Sequence, residues 1–180
     1  MTGPAAAVIV GGGVVGSAAA WRLKTDGVAG PVVVVERDRS YARASSFLAM
    51  GGIRQQFGSA VCARMVQHSL ELWRVFDTRM ATATYTPRAW FRERGYLFLA
   101  DDTNAEALLA REGAQRDAGV VQRRLSVDEI RAMVPGLALD DIRFGLFGPH
   151  DGYANPREVL FGLRAAAQAA GAEYVEDEVV

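Results

Sequence analysis

An α/β fold is what this 180-residue sequence predicts: a parallel sheet opened by one βαβ unit, interrupted by a long α+β excursion, and rejoined near the last residues. Three observations predict it. An apolar run, Ala6-Ala7-Val8-Ile9-Val10, opens straight onto Gly11-Gly12-Gly13-Val14-Val15-Gly16. A β-branched run, Val32-Val33-Val34-Val35, follows one helix later and ends on Glu36. A closing helix-strand pattern over residues 156–180 returns after strands of a different character.

The first run reads as a buried strand, and its glycines read as a nucleotide turn. Gly11 suits a tight turn, Gly13 lets backbone approach a pyrophosphate, and Gly16 lets the next helix pack closely on the strand. That helix, residues 17–24 and the turn before it, aims free N–H groups at a phosphate, and its dipole favours the negative charge. A bare Gly-x-Gly-x-x-Gly is a weak signal, and a purely structural βαβ unit is the alternative. The context meets the remaining requirements, because residues 27–31 break the helix and Glu36 closes the second strand about 20 positions past the last glycine. A carboxylate there accepts ribose hydroxyls and repels a 2′-phosphate.

After Glu36 the chain stops alternating strand and helix, which disfavours a complete nicotinamide-binding domain. Residues 37–46 are polar and read as a loop. Residues 47–57 set Gly51 and Gly52 beside Arg54, Gln55 and Gln56. Glycines permit close approach to a planar group, and Arg54 offers a bidentate partner for a carboxylate. Residues 59–80 predict one long helix capped by Ser59, with Val61, Met65, Leu72 and Phe76 as its core face.

Residues 95–100 form a strand, and Asp101 and Asp102 read as capping groups for a helix over 105–118 rather than as an acid pair. Residues 120–125 form a short strand. Ser126 and Glu129 make a capping box, and Pro135-Gly136 ends the helix they start. Residues 143–147 form a strand. Asn155-Pro156 starts a helix with Leu160, Leu163, Ala167 and Ala170 on its apolar face, and Gly171 ends it. Residues 172–180 begin a strand that joins the parallel sheet of Val8 and Val32. The domain reading is therefore 1–84, 85–149 and 150–180.

Composition narrows the function. A chain this long hides roughly 70% of its unfolded surface. Half its residues are hydrophobic and its net charge is −1, which points away from nucleic acid and membrane surfaces. The opening apolar run is too short for a signal-peptide core or a span, so a cytoplasmic location is the default expectation. Cys62 is the single cysteine, which excludes an intrachain disulfide, and a buried structural thiol is the expected reading. His68 and His150 are the only histidines, far apart in sequence, with a helix-face and a loop role rather than a metal site.

Taken in order, four blocks resemble the N-terminal half of the FAD-dependent oxidoreductases of the D-amino-acid oxidase and sarcosine oxidase type. These are Gly11 to Gly16 with Glu36-Arg37, Ser45-Ser46 through Gly51-Gly52-Ile53-Arg54, Arg94-Gly95-Tyr96-Leu97, and Asp151-Gly152-Tyr153-Ala154-Asn155-Pro156. The resemblance implies a Rossmann-like FAD domain interrupted by a substrate domain, and a chain truncated relative to the family. It implies that Gly11, Gly13, Val14, Val15 and Gly16 hold the pyrophosphate, Glu36 the adenosine ribose and Arg37 the adenine side. Ser45 and Ser46 would contact the phosphate and ribityl region, and Gly51 and Gly52 would pass the isoalloxazine. Arg54 would grip the carboxylate of a small amino acid or N-methyl amino acid. The implied reaction moves hydride from the substrate carbon to flavin N5 and leaves an imine for water to hydrolyse.

Where some oxidase members carry basic residues before the glycine-arginine turn, this chain reads Leu48-Ala49-Met50-Gly51. Family members also continue for about as long again. The alternative is a non-catalytic or truncated FAD-domain subunit that needs a partner chain or the missing C-terminal half.

Overall fold

The computed structural model describes residues 5–180. In chain order the elements are β1 (Ala7–Val10), α1 (Val14–Thr25), β2 (Val32–Glu36), α2 (Ser45–Leu48), β3 (Gly52–Ile53), α3 (Ala60–Arg74), α4 (Phe76–Arg79) and β4 (Arg92–Glu93). They continue with β5 (Tyr96–Ala100), α5 (Ala105–Asp117), β6 (Arg123–Leu125), α6 (Val127–Met133), β7 (Phe144–Gly148), β8 (Gly152–Tyr153), α7 (Pro156–Ala169) and β9 (Glu173–Glu176). The chain divides into two compact units. One holds the described residues up to Gly51 with Val75–Trp90 and Ala154–Val180, and the other holds Gly52–Arg74 and Phe91–Tyr153.

The first unit is a parallel three-stranded sheet in the order β1-β2-β9, with Ala7 opposite Val32 and Val33 opposite Glu173. The central position of β2 explains its unbroken valines: Val32, Val33 and Val34 are all buried, as a strand covered on both faces requires. Both α1 and α7 pack here, around a core of Ala20, Val32, Val34, Ala167 and Ala172 with Ile9, Trp21 and Leu23 against it. The cap of α7 is as expected, since Asn155 Oδ1 accepts from the N–H groups of Arg157 and Glu158. Residues 75–90 are tied to α7 by Glu158, which accepts from the Tyr85 hydroxyl at 3.0 Å and from the Arg88 N–H at 2.8 Å. Burial and that carboxylate push the Tyr85 phenol up to about 12.

In the second unit β5-β7-β6 form an antiparallel sheet and β3-β8-β4 a smaller one. Leu125, Ile130 and Leu139 form its core, with Leu97, Leu99 and Phe147 against them. The Ser126–Glu129 capping box starts α6 as read. Gly152 is required by closeness rather than by torsion, because a Cβ there would stand 1.9 Å from the Arg92 carbonyl oxygen.

Three expectations fail here. The helix over 59–80 is two helices, broken at Val75. Its inward residues are Ala63 and Leu70, seven apart, so Val61 and Met65 are 59% and 64% exposed instead of in the core. Cys62 is exposed for the same reason, one position off the buried stripe. Among the described residues no helix is long and apolar enough to cross a membrane.

Candidate functional site

The turn after β1 leaves backbone donors free in the first unit. Gly11 has φ of 94°, a conformation that suits glycine, and its N–H stays on the Val35 carbonyl at 2.8 Å. The Gly12 N–H donates to Glu36 Oε2 at 2.7 Å, and the Val14 N–H donates to Ser46 Oγ at 3.1 Å. Among the described residues the amides of Gly13, Val15 and Gly16 find no acceptor. No acidic side chain stands in the first turn of α1, and Gly13 caps it without a side chain. Its positive end is therefore open to an anion.

Glu36 ends β2 with its carboxylate turned to the same mouth, its second oxygen accepting the Asp38 N–H at 3.1 Å. Beside it lies a cavity of about 750 Å³, lined by Val10, Gly11, Glu36, Arg37, Tyr41 and Ser45 among others. Arg37 is exposed on its rim and pairs with Glu178 at 3.5 Å. Val10 and Val15 are exposed apolar side chains, Val10 on the cavity wall. The structure thus brings together Gly11, Gly13, Val14, Val15, Gly16, Glu36 and Ser46, with Arg37 and Ser45 on the cavity.

Sequence reasoning missed the floor of this mouth. The Tyr174 hydroxyl donates to Ser17 Oγ at 2.9 Å, which donates to the Gly12 carbonyl at 2.8 Å, fixing the glycine turn from below. Burial pushes the Tyr174 phenol up to about 12, so it remains a donor at neutral pH. Tyr41 holds φ of 57° and is buried with its hydroxyl unpartnered, its ring against Phe161 and the Arg164 guanidinium. A lone tyrosine in a polar loop gave no signal of this.

Gly51 also lies in the first unit, and its requirement is local: φ is 78° and a Cβ would stand 2.0 Å from the Ala154 carbonyl oxygen. Gly52 belongs to the second unit, paired with Tyr153.

In that unit the Arg54 guanidinium sits among three aromatic rings, 5.2 Å from the centre of Phe57, 5.8 Å from Tyr96 and 5.6 Å from Phe98. Such faces attract a cation and hold its plane. Its buried Nε has no hydrogen-bond partner. Nearby, Asp151 is fully buried, one oxygen accepting from the Gln55 N–H at 2.9 Å and from Gln55 Nε2 at 3.1 Å, the other unpartnered. Burial raises its carboxyl above the ordinary range, against the opposing pull of Gln55, His150 and Arg54. The neighbouring Glu93 is held below its usual range by Arg74, which donates two hydrogen bonds of 3.0 Å.

The Asp151 shift has a testable sign. The folded chain keeps the Asp151 proton to higher pH than the unfolded chain does. Stability from this group is therefore present below the unfolded value and falls as pH rises through the folded one. Asp151→Asn removes that slope. Denaturation midpoints of variant and wild type, followed from about pH 3 to 7, should diverge by a pH-dependent amount; a constant difference would refute the assignment.

Among the described residues no three His, Cys, Asp or Glu side chains gather to hold a metal ion.

Comparison with known proteins is consistent with this geometry. The family model described as FAD dependent oxidoreductase matches residues 6–180. FAD-dependent oxidoreductase domain-containing protein 1 of Bos taurus is 34% identical over 96% of this chain and 36% of its own length. Mitochondrial sarcosine dehydrogenase of Homo sapiens is 25% identical over 94% of this chain and 18% of its own. The crystal structure of L-proline dehydrogenase from P. horikoshii superposes with a TM-score of 0.82 at 28% identity, covering 98% of this chain and 45% of that one. The chain spans about a third of the length of the first of these relatives. With the match running through nearly every residue from the first strand to the last, the chain belongs to the FAD-dependent oxidoreductase family, whose cofactor is FAD.

Proposed function

We propose that this chain supplies the dinucleotide-binding and carboxylate-recognising parts of a flavin enzyme that oxidises the C–N bond of a small amino acid or N-methyl amino acid. The observation that carries the reading is the open end of α1: three unpartnered amides and a carboxylate converge on one mouth beside a cavity of about 750 Å³. A diphosphate supplies the acceptors those amides lack. Glu36 keeps lone pairs free on both oxygens for ribose hydroxyls, and Arg37 borders the adenine side. Ser46 gives up the Val14 N–H to a phosphate oxygen, and Ser45 serves the phosphate and ribityl region. The first unit is in this reading a Rossmann-like FAD part, with Gly51 passing the flavin ring. Bound FAD supplies the hydride acceptor. Arg54, in the second unit, grips the substrate carboxylate.

The test is flavin uptake. The refolded chain should quench and shift the FAD spectrum, and Glu36→Ala should weaken uptake roughly tenfold to a hundredfold, as loss of a hydrogen bond to a charged group does. No spectral change with wild type overturns the reading.

The alternative, a subunit that needs more polypeptide, has one observation in its favour. Among the described residues β1 is an edge strand, and its Val8 and Val10 are 60% and 67% exposed. In that case uptake appears only when the chain is combined with a partner or a longer C-terminal segment.

A further inference from the structure

One side of α7 does something other than pack on the core. Its Val159, Leu160, Leu163 and Ala167 are buried and keep the helix docked. Arg157, Phe161 and Arg164 stand on another side at helical spacing. All three meet the two aromatic rings of the segment 41–48. The Arg157 guanidinium lies 4.1 Å from the centre of Phe47, and that of Arg164 lies 5.5 Å from the centre of Tyr41 and 5.4 Å from that of Tyr174. Between the arginines, Phe161 packs edge-on against Tyr41 and Phe47, with ring centres 6.1 and 6.3 Å away. Neither arginine has an ion pair among the described residues, so each presents its guanidinium to a ring instead of to an acid.

The segment held in this way touches the glycine turn at two points. Ser46 Oγ accepts from the Val14 N–H at 3.1 Å. Tyr41 lies against Gly12, where a Cβ would stand 3.0 Å from the tyrosine oxygen, 3.2 Å from Glu36 Cβ and 3.4 Å from the Tyr174 ring. That closeness accounts for a glycine the nucleotide fingerprint does not ask for, because position 12 is a free one in Gly-x-Gly-x-x-Gly. Tyr41 also keeps φ of 57°, which a bulky residue holds only where its surroundings over-determine it. Here the Phe161 ring, the Arg164 guanidinium and Gly12 do so.

We infer that Arg157, Phe161 and Arg164 are positioning residues for the dinucleotide: they order the segment 41–48, which through Tyr41 and Ser46 sets the turn at Gly12 and Val14 before the cofactor arrives. The inference rests on the nucleotide role proposed for that turn and adds to it three residues more than a hundred positions away. Without them the cofactor must order the segment as it binds, which weakens affinity without a contact being lost.

Amide hydrogen exchange reads segment, turn and sheet separately. The N–H groups of Ala44, Phe47 and Leu48 are bonded within the segment, that of Val14 is bonded to Ser46, and Val33 and Val34 lie in the central strand. Arg164→Met keeps the stem and loses the charge. In that variant the segment and Val14 amides should exchange at least about fivefold faster while Val33 and Val34 stay within about twofold, and Arg164→Lys should recover most of the protection, since an ammonium also sits over a ring. Flavin affinity of the chain should fall about threefold to thirtyfold in Arg164→Met, the range that a cation over a ring covers, with the denaturation midpoint kept. Arg157→Met, at an exposed position, carries the same test if Arg164→Met does not fold. A Val14 amide that does not move, or segment and sheet amides that speed up together, overturns the inference. A loosened segment with unchanged flavin affinity overturns the positioning role and leaves the proposed function standing, whereas no uptake by wild type removes both.

Discussion

Gly16→Ala destabilises the chain by at least about 3 kcal/mol and abolishes flavin uptake, the upper end of what overpacking costs. The added Cβ would stand 1.9 Å from the Gly11 carbonyl oxygen and 3.2 Å from Ile9 Cγ2. Neither neighbour can yield. The Gly11 N–H is fixed to Val35 at the end of the parallel ladder, and Ile9 packs on the core under the sheet. The helix must move away from the strand, and with it the amides that face the anion. Gly13→Ala is the informative contrast, because its Cβ meets only Ser46 Oγ, at 3.0 Å, the end of a side chain that can turn. That variant should keep its denaturation midpoint within about 1 kcal/mol while losing flavin affinity, since the methyl group occupies the approach to the phosphate. Urea unfolding and flavin fluorescence on both variants check the pair; a Gly16→Ala chain as stable as wild type would show that β1 and α1 are not in the contact described.

What the sequence made legible were features set by neighbours along the chain. The strand, glycine turn and helix of residues 6–25, the acid closing β2, the Ser126 capping box and the Asn155 cap are each decided within a few residues. The parallel return of β9 onto β2 followed from the rule for crossover connections. Long-range choices were not legible. Asp151 and Gln55 are 96 positions apart, and nothing in either block announces that a carboxylate will be buried there. The apolar pattern of residues 59–80 fitted one amphipathic helix, but Val75 ends it and Ala63 and Leu70 turn inward, leaving Val61 and Met65 outside. One of the two inward residues is an alanine, Ala63, which hydrophobic periodicity weighs little. Ser46 was read as a phosphate contact from family likeness, but its bond to the Val14 N–H spans 32 positions and needed coordinates.

Arg54→Ala weakens binding of an amino acid by roughly 2 to 5 kcal/mol, about thirtyfold to a few thousandfold, as for removing one partner of a buried charge pair. The size follows from surroundings rather than from charge alone. The guanidinium lies 5.2 to 5.8 Å from three ring centres, where water screens it poorly and a carboxylate gains more than it does at an open surface. The same rings complicate the alanine variant, since truncation leaves Phe57, Tyr96 and Phe98 around a void and lowers stability as well as affinity. Arg54→Lys resolves this, because it keeps the charge and most of the stem but loses the planar fork and its stacking. If bidentate recognition is the source of affinity, lysine recovers the denaturation midpoint yet stays at least tenfold weaker than wild type in calorimetric titration with a small amino acid. If the rings merely store a structural cation, lysine and wild type bind alike, and the carboxylate must be held elsewhere. The separation of midpoint from affinity therefore decides whether Arg54 is packing that happens to be charged or a charge that the packing serves.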